Sequence, residues 1–136
     1  MADAAPVNAE GVRILAKLKR EHPRLLIDRA GFDALKKRLA SDATLRQWDE
    51  QVVREADRLL KAPLPKHVLP DGLRLLSTSR RVMENTYVLG MAFRLHGDRR
   101  YAERLWKELE TVAAFPEWNP KHFLDTAEMT HAVAIG

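Results

Sequence analysis

Ala92-Phe-Arg-Leu-His-Gly-Asp-Arg-Arg-Tyr-Ala102 decides how this chain folds. At its centre, Gly97-Asp98 ends one helix and starts another. Glycine tolerates the left-handed backbone that closes a helix, and aspartate accepts the free N–H groups that open the next. Before the turn, Val82, Met83, Tyr87, Val88, Leu89, Met91, Ala92, Phe93 and Leu95 make the segment apolar nearly all round, which predicts a helix buried on most sides. After it, Tyr101, Leu105, Leu109 and Val112 recur at helical spacing over 99–113. A two-residue joint predicts a tight antiparallel hairpin, its first helix capped by Ser77 or Ser79 and ending at His96. Gly90 inside that helix costs about 1 kcal/mol against alanine. Close helix–helix approach is the expected compensation, and Tyr87 and Tyr101 are expected in the core.

Upstream, residues 8–21 read as a first helix, broken at His22-Pro23 because the residue before proline is driven to extended geometry. Asp28 and Gly31 open a short helix with Phe32, Leu35 and Leu39 on one face. Lys36-Lys37-Arg38 suits the negative end of its dipole. Asp42 caps a longer helix in which Leu45, Trp48, Val52, Ala56, Leu59 and Leu60 keep a 3.6-residue period, and Pro63 and Pro65 end it. The proline-rich connector 63–77 carries enough Val and Leu to lie against the body. Downstream, the aromatic loop Phe115-Pro-Glu-Trp-Asn-Pro-Lys-His-Phe-Leu124 leads into a last helix. There Asp125 and Glu128 have capping-box spacing, and Met129, Ala132 and Val133 form an apolar stripe that needs a partner. The expected fold is all-α, built of helical hairpins, with 1–21 as a lead-in and 22–136 as the domain proper. The uncovered stripe creates the further expectation that the 136 residues are the front part of a longer protein.

Composition narrows the class. With 46% hydrophobic and 31% charged residues, the chain has the balance of a folded globular domain. Its net charge is +4, but the basic residues are spread evenly, 13 against 10 acidic residues up to Lys61 and 10 against 9 beyond it. That spread argues against a nucleic-acid arm and is compatible with attraction to an anionic partner. There is no cysteine, hence no disulfide framework or thiolate chemistry. No apolar stretch suits a membrane span, and Met1-Ala-Asp-Ala-Ala-Pro6 reads as a mature start rather than a signal peptide.

Three groupings are chemically suggestive. His122, Asp125, Glu128 and His131 are each three residues apart, and Glu128-x-x-His131 has the spacing of metal-binding helical bundles. A second such pair is lacking, so a capped helix start at a cleft rim is the preferred reading and no metal is expected. Arg80-Arg81 can grip a carboxylate or sulfate in two-point geometry, or pair with Glu84. Phe115, Trp118 and Phe123 could stack on sugar rings. Anchoring to the core is preferred for Phe115 and Phe123, and Trp118 stays open.

Several segments taken together resemble the N-terminal helical domain of the heparinase II/III-like polysaccharide lyases, which include oligoalginate lyases. These are His22-Pro-Arg-Leu-Leu-Ile27, Leu35-Lys-Lys-Arg-Leu-Ala-Ser-Asp42, Ser79-Arg-Arg-Val-Met83, the 92–102 hairpin, Phe115-Pro-Glu-Trp-Asn119 and His122–Gly136. The resemblance implies the first part of an incomplete (α/α) toroid. It implies cleavage of a uronic-acid polysaccharide by β-elimination, without a cofactor, in the periplasm or outside the cell. The family's catalytic Asn/His, Tyr and His stand on later segments, so it implies no catalytic residue here and an inactive fragment. It does imply substrate-binding cleft residues, namely Arg80, Asp125 and Glu128. The implied partners are an acidic polysaccharide or oligosaccharide and a C-terminal continuation of the same chain, with neither nucleic acid nor membrane. The competing expectation is a helical-repeat, tetratricopeptide-like protein-binding module. It is disfavoured because the 42–62 helix and its proline-rich exit do not repeat the later hairpin.

Overall fold

The computed structural model describes Ala16 and residues 20–136. The expected 8–21 helix thus lies almost wholly outside the described residues, and Arg20 and Glu21, at its end, are not helical. Among the described residues every regular element is a helix: α1 Arg29–Leu39, α2 Ala43–Lys61, α3 Leu76–His96, α4 Arg99–Ala113 and α5 Phe123–Ile135. The fold is all-α.

Local chemistry sets most of these boundaries. Asp28 and Asp42 accept the N–H groups of Gly31 at 3.0 Å and Leu45 at 3.1 Å, closing the first turns of α1 and α2. α2 ends before Pro63. At the α3–α4 joint, Gly97 sits at φ 73° and donates its N–H to the Phe93 carbonyl at 2.8 Å. Asp98 then takes the Arg100 N–H at 3.0 Å.

The other two starts differ from expectation. α3 begins at Leu76 with no side-chain cap of its own, so neither Ser77 nor Ser79 serves. Instead the N–H of Leu75 donates to the carboxylate of Asp125, 2.7 Å away and fifty residues on. α5 begins at Phe123, two residues before the expected cap, so Asp125 and Glu128 are not a capping box. Both carboxylates are committed elsewhere.

Helix α3 is central and touches each of the other four. Directions follow from paired contacts. Asp49 meets His96 and Lys66 meets Thr78, so α2 and α3 are antiparallel. Asp57 meets Tyr101 and Ala62 meets Arg104, so α2 and α4 run the same way. Asp125 meets Leu75, Glu128 meets Arg80 and His131 meets Tyr87, so α3 and α5 also run the same way. One apolar cluster, Ala56, Leu59, Leu89, Ala92, Tyr101 and Leu105, joins α2, α3 and α4. A second, Leu75, Val82, Val112, Met129 and Ala132, joins α3, α4 and α5.

Met129 and Ala132 are therefore covered by the chain itself, and of the expected open stripe only Val133 remains exposed. Trp48 of α2 points outward. The buried side of α3 is more polar than its composition suggests, taking in Thr78, Ser79, Asn85 and Thr86, while Tyr87 is exposed. Among the described residues nothing lies within 4 Å of where a Cβ on Gly90 would stand, so none of the described helices makes the close approach expected there. The connector does lie on the body in part, through buried Pro65 and Leu75, although Leu64, Val68 and Leu73 are exposed.

Candidate functional site on the α3–α5 seam

Beside the apolar contacts of the second core cluster, the seam between α3 and α5 carries a row of polar side chains, and the three expected site residues all lie on it with different burial. Asp125 is the deepest and fully buried. Its carboxylate accepts the Leu75 N–H, the Asn119 Nδ2 at 2.8 Å and, at 2.7 Å, hydrogen-bonds the His122 Nδ1. Burial alone would raise its pKa. The hydrogen bonds from Asn119, His122 and Leu75 outweigh that and hold it below the ordinary aspartate value. Asn119 adopts φ 53° and also reaches the Leu73 carbonyl at 2.7 Å, so one amide ties the connector, the aromatic loop and α5 together. Asp125 is thus a fully buried tie between α3, the aromatic loop and α5, not an exposed side chain on the seam's surface.

Glu128 lies one turn further along. Its side chain is 14% exposed, with one oxygen 3.3 Å from Ser79 Oγ and the other 3.1 Å from Arg80 Nε. Arg80 pairs with Glu128 and not with Glu84. Its side chain is 54% exposed, and its Nη groups make no further hydrogen bond among the described residues. Farther along the same seam, Tyr87 Oη and His131 Nε2 stand 2.7 Å apart, with ring centroids separated by 5.7 Å. Both residues are exposed. Tyr87 is therefore not a core residue. Tyr101 is one: it is buried, its hydroxyl donates to Asp57 at 2.9 Å, and burial followed by that hydrogen bond raises its pKa.

The His122, Asp125, Glu128 and His131 series does not converge. His122 goes to Asp125, Glu128 to Arg80 and His131 to Tyr87. Among the described residues no group of three metal-ligating side chains forms. Of the aromatics, Phe115 and Trp118 pack on the second core cluster, and Trp118 Nε1 donates to the Val112 carbonyl at 2.8 Å. They also line a shallow hollow of about 250 Å³ with Glu117 and Pro120. Phe123 is 77% exposed, against its expected role as an anchor.

Sequence reasoning missed a second polar cluster, between α3 and α4. Glu108 is fully buried and Arg104 nearly so, and Arg104 Nη2 and Nε reach one Glu108 oxygen at 2.7 and 3.1 Å. Asn85 Nδ2 donates to both Glu108 oxygens, at 3.1 and 2.9 Å. Arg104 also donates to the carbonyls of Ala62 at 2.7 Å and Pro63 at 3.3 Å, where α2 unwinds. Its donors and acceptors are matched internally, which marks it as architecture rather than a binding site. The four-residue spacing of Arg104 and Glu108 was the available signal, but it is shared with any exposed helix pair.

Across the described residues no helix is long and apolar enough to cross a membrane. No protein-family model matches the chain, and no curated protein matches it.

Proposed function

We propose that this chain forms the opening part of an (α/α) toroid in a polysaccharide lyase that cleaves a uronate polymer by β-elimination, and that it binds acidic sugar without performing the cleavage. One structural observation carries the architectural part. α3 and α5 lie side by side and run the same way, while α2 and α4 run together in the opposite sense. An (α/α) toroid is built by that alternation. Chemical support comes from Arg80, an exposed cation held in one orientation by Glu128, which suits recognition of a carboxylate. β-Elimination requires neutralisation of the uronate carboxylate, removal of the C5 proton by a base and protonation of the departing O4. By the resemblance, those groups belong to later segments of such enzymes.

Two experiments test this reading. Incubation of the 136-residue chain with alginate or heparan oligomers, followed by absorbance of the new C4–C5 double bond, is expected to give no signal. Unsaturated product would place catalysis within these residues after all. Reading the coding frame onward from Gly136 is expected to reveal an Asn-His motif and then a β-rich region, and an unrelated continuation would sink the lyase assignment.

The same alternation of helices also suits a helical-repeat module that binds peptide. Against it, α2 and its irregular exit over 62–75 do not repeat the α3–α4 hairpin.

A further inference from the structure

We infer that the outward face of the α3–α5 seam is a two-point subsite for a uronate-bearing oligosaccharide. Arg80 takes a sugar carboxylate, and the Tyr87–His131 pair takes an adjoining ring. The inference deepens the polysaccharide reading and rests on it for the ligand being a sugar.

The geometry begins with helical register. Arg80 and Tyr87 are seven residues apart on α3, so they share a face and stand about 10 Å apart along the axis. Glu128 and His131 of α5 answer them in the same order across the seam. Two polar stations therefore lie in line, farther apart than one sugar ring, and a ligand that uses both has at least two sugars.

Each station has donors to spare. Glu128 occupies Arg80 Nε, and the Nη groups of this exposed side chain make no other hydrogen bond among the described residues, which leaves them for a carboxylate through two parallel bonds. Glu128 is mostly buried on the seam and lies 3.3 Å from Ser79 Oγ, whose one proton it shares with the nearer Leu76 carbonyl, so it aims the guanidinium as a positioning residue mainly by its burial. At the other station, Tyr87 Oη and His131 Nε2 share one hydrogen bond, and the exposed His131 Nδ1, which makes no other hydrogen bond among the described residues, is left for a sugar hydroxyl. The exposed Tyr87 ring offers an apolar face for the C–H side of a pyranose.

Glu84, exposed on α3 between the two stations, sets polarity. Its charge opposes a ligand carboxylate midway and accepts hydroxyls there. The carboxylate is thereby directed to the Arg80 end. Arg81, exposed beside Arg80, adds positive field at that same end.

Calorimetric titration of the 136-residue chain with an alginate tetrasaccharide, and with its carboxyl-reduced neutral counterpart, tests the inference. The acidic oligomer is expected to bind. Arg80→Gln and Tyr87→Ala are each expected to weaken it by about tenfold or more. Both positions are exposed, so circular dichroism should show the fold kept. Glu84→Gln is expected to tighten binding. Glu128→Gln, which keeps an oxygen for Arg80 Nε, should retain affinity, whereas Glu128→Ala should lose it at unchanged helix content. If the parent chain binds the acidic oligomer and the Arg80 and Tyr87 variants bind equally well, this seam is not the subsite, and the polysaccharide reading stands. If the parent chain binds neither oligomer, the polysaccharide reading fails and takes this inference with it.

Discussion

Of the seams that α3 makes, those with α4 and with α5 each bury a carboxylate completely, and they stabilise it in different ways. Glu108 is matched by a buried cation on its own helix, Arg104, and by Asn85 across the seam. Among the described residues Asp125 has no arginine or lysine partner. It is held by an amide, an imidazole and a backbone N–H. The first arrangement is an ion pair cross-braced to the exit of α2. The second is a junction that supplies the missing cap of α3 from fifty residues away. A buried pair is costly when one partner goes, whereas a hydrogen-bonded junction loses its bonds piecemeal. Of these two seams, the α3–α5 one continues outward to the exposed side chains of Arg80, Tyr87 and His131.

The largest expected effect lies on the α4 side. Arg104→Ala leaves the fully buried Glu108 carboxyl without its cation, and a loss of about 3–5 kcal/mol in urea unfolding is expected. A loss under about 1 kcal/mol would show that water reaches Glu108 and that the two seams are alike. Next comes the junction. Asp125→Ala strands three donors and is expected to cost about 2–4 kcal/mol, with Asp125→Asn intermediate.

Acid sharpens the contrast. The folded pKa of Asp125 is depressed, so its contribution is complete above the unfolded aspartate value of about 3.9 and disappears as pH falls through the lower folded value. The stability gap between the parent chain and Asp125→Asn should therefore close as pH drops below about 4. A gap that stays constant from neutral pH down into that range would contradict the hydrogen-bonded assignment.

Smaller effects test the hairpin between these regions. Gly97→Ala forces a side chain into the left-handed region at φ 73° and is expected to cost about 1 kcal/mol. Gly90→Ala should do the reverse. Its Cβ would meet nothing within 4 Å among the described residues, so a gain of up to about 1 kcal/mol in thermal or urea unfolding is expected, and a loss would reveal a packing role for that glycine.

How far the sequence made this legible depended on the range over which each decision is taken. The α4 limits, the Gly97-Asp98 joint and the caps at Asp28 and Asp42 were readable because each is decided within four residues. The starts of α3 and α5 were not, because the decisive partner lies far away. Asp125 and Glu128 have capping spacing, but their strongest claims come from Leu75, Ser79 and Arg80. Tyr87 looked like core because a central helix rich in apolar residues hides which stripe stays open, and the open stripe proved to carry Arg80, Glu84 and Tyr87. Of the site, Arg80 and Glu128 were legible as residues but not as each other's partners, and the Tyr87–His131 pair was not visible at all. A pair formed across two parallel helices leaves no local spacing to read.

The central functional claim is that acidic sugar lies along the outer α3–α5 seam, and backbone chemical-shift mapping of the 136-residue chain tests it most directly. On titration with an alginate tetrasaccharide, the largest shifts are expected at Arg80, Tyr87, Glu128 and His131, with the α2–α4 side silent. Shifts centred on Trp118 and Phe115, or no shifts anywhere, would contradict it.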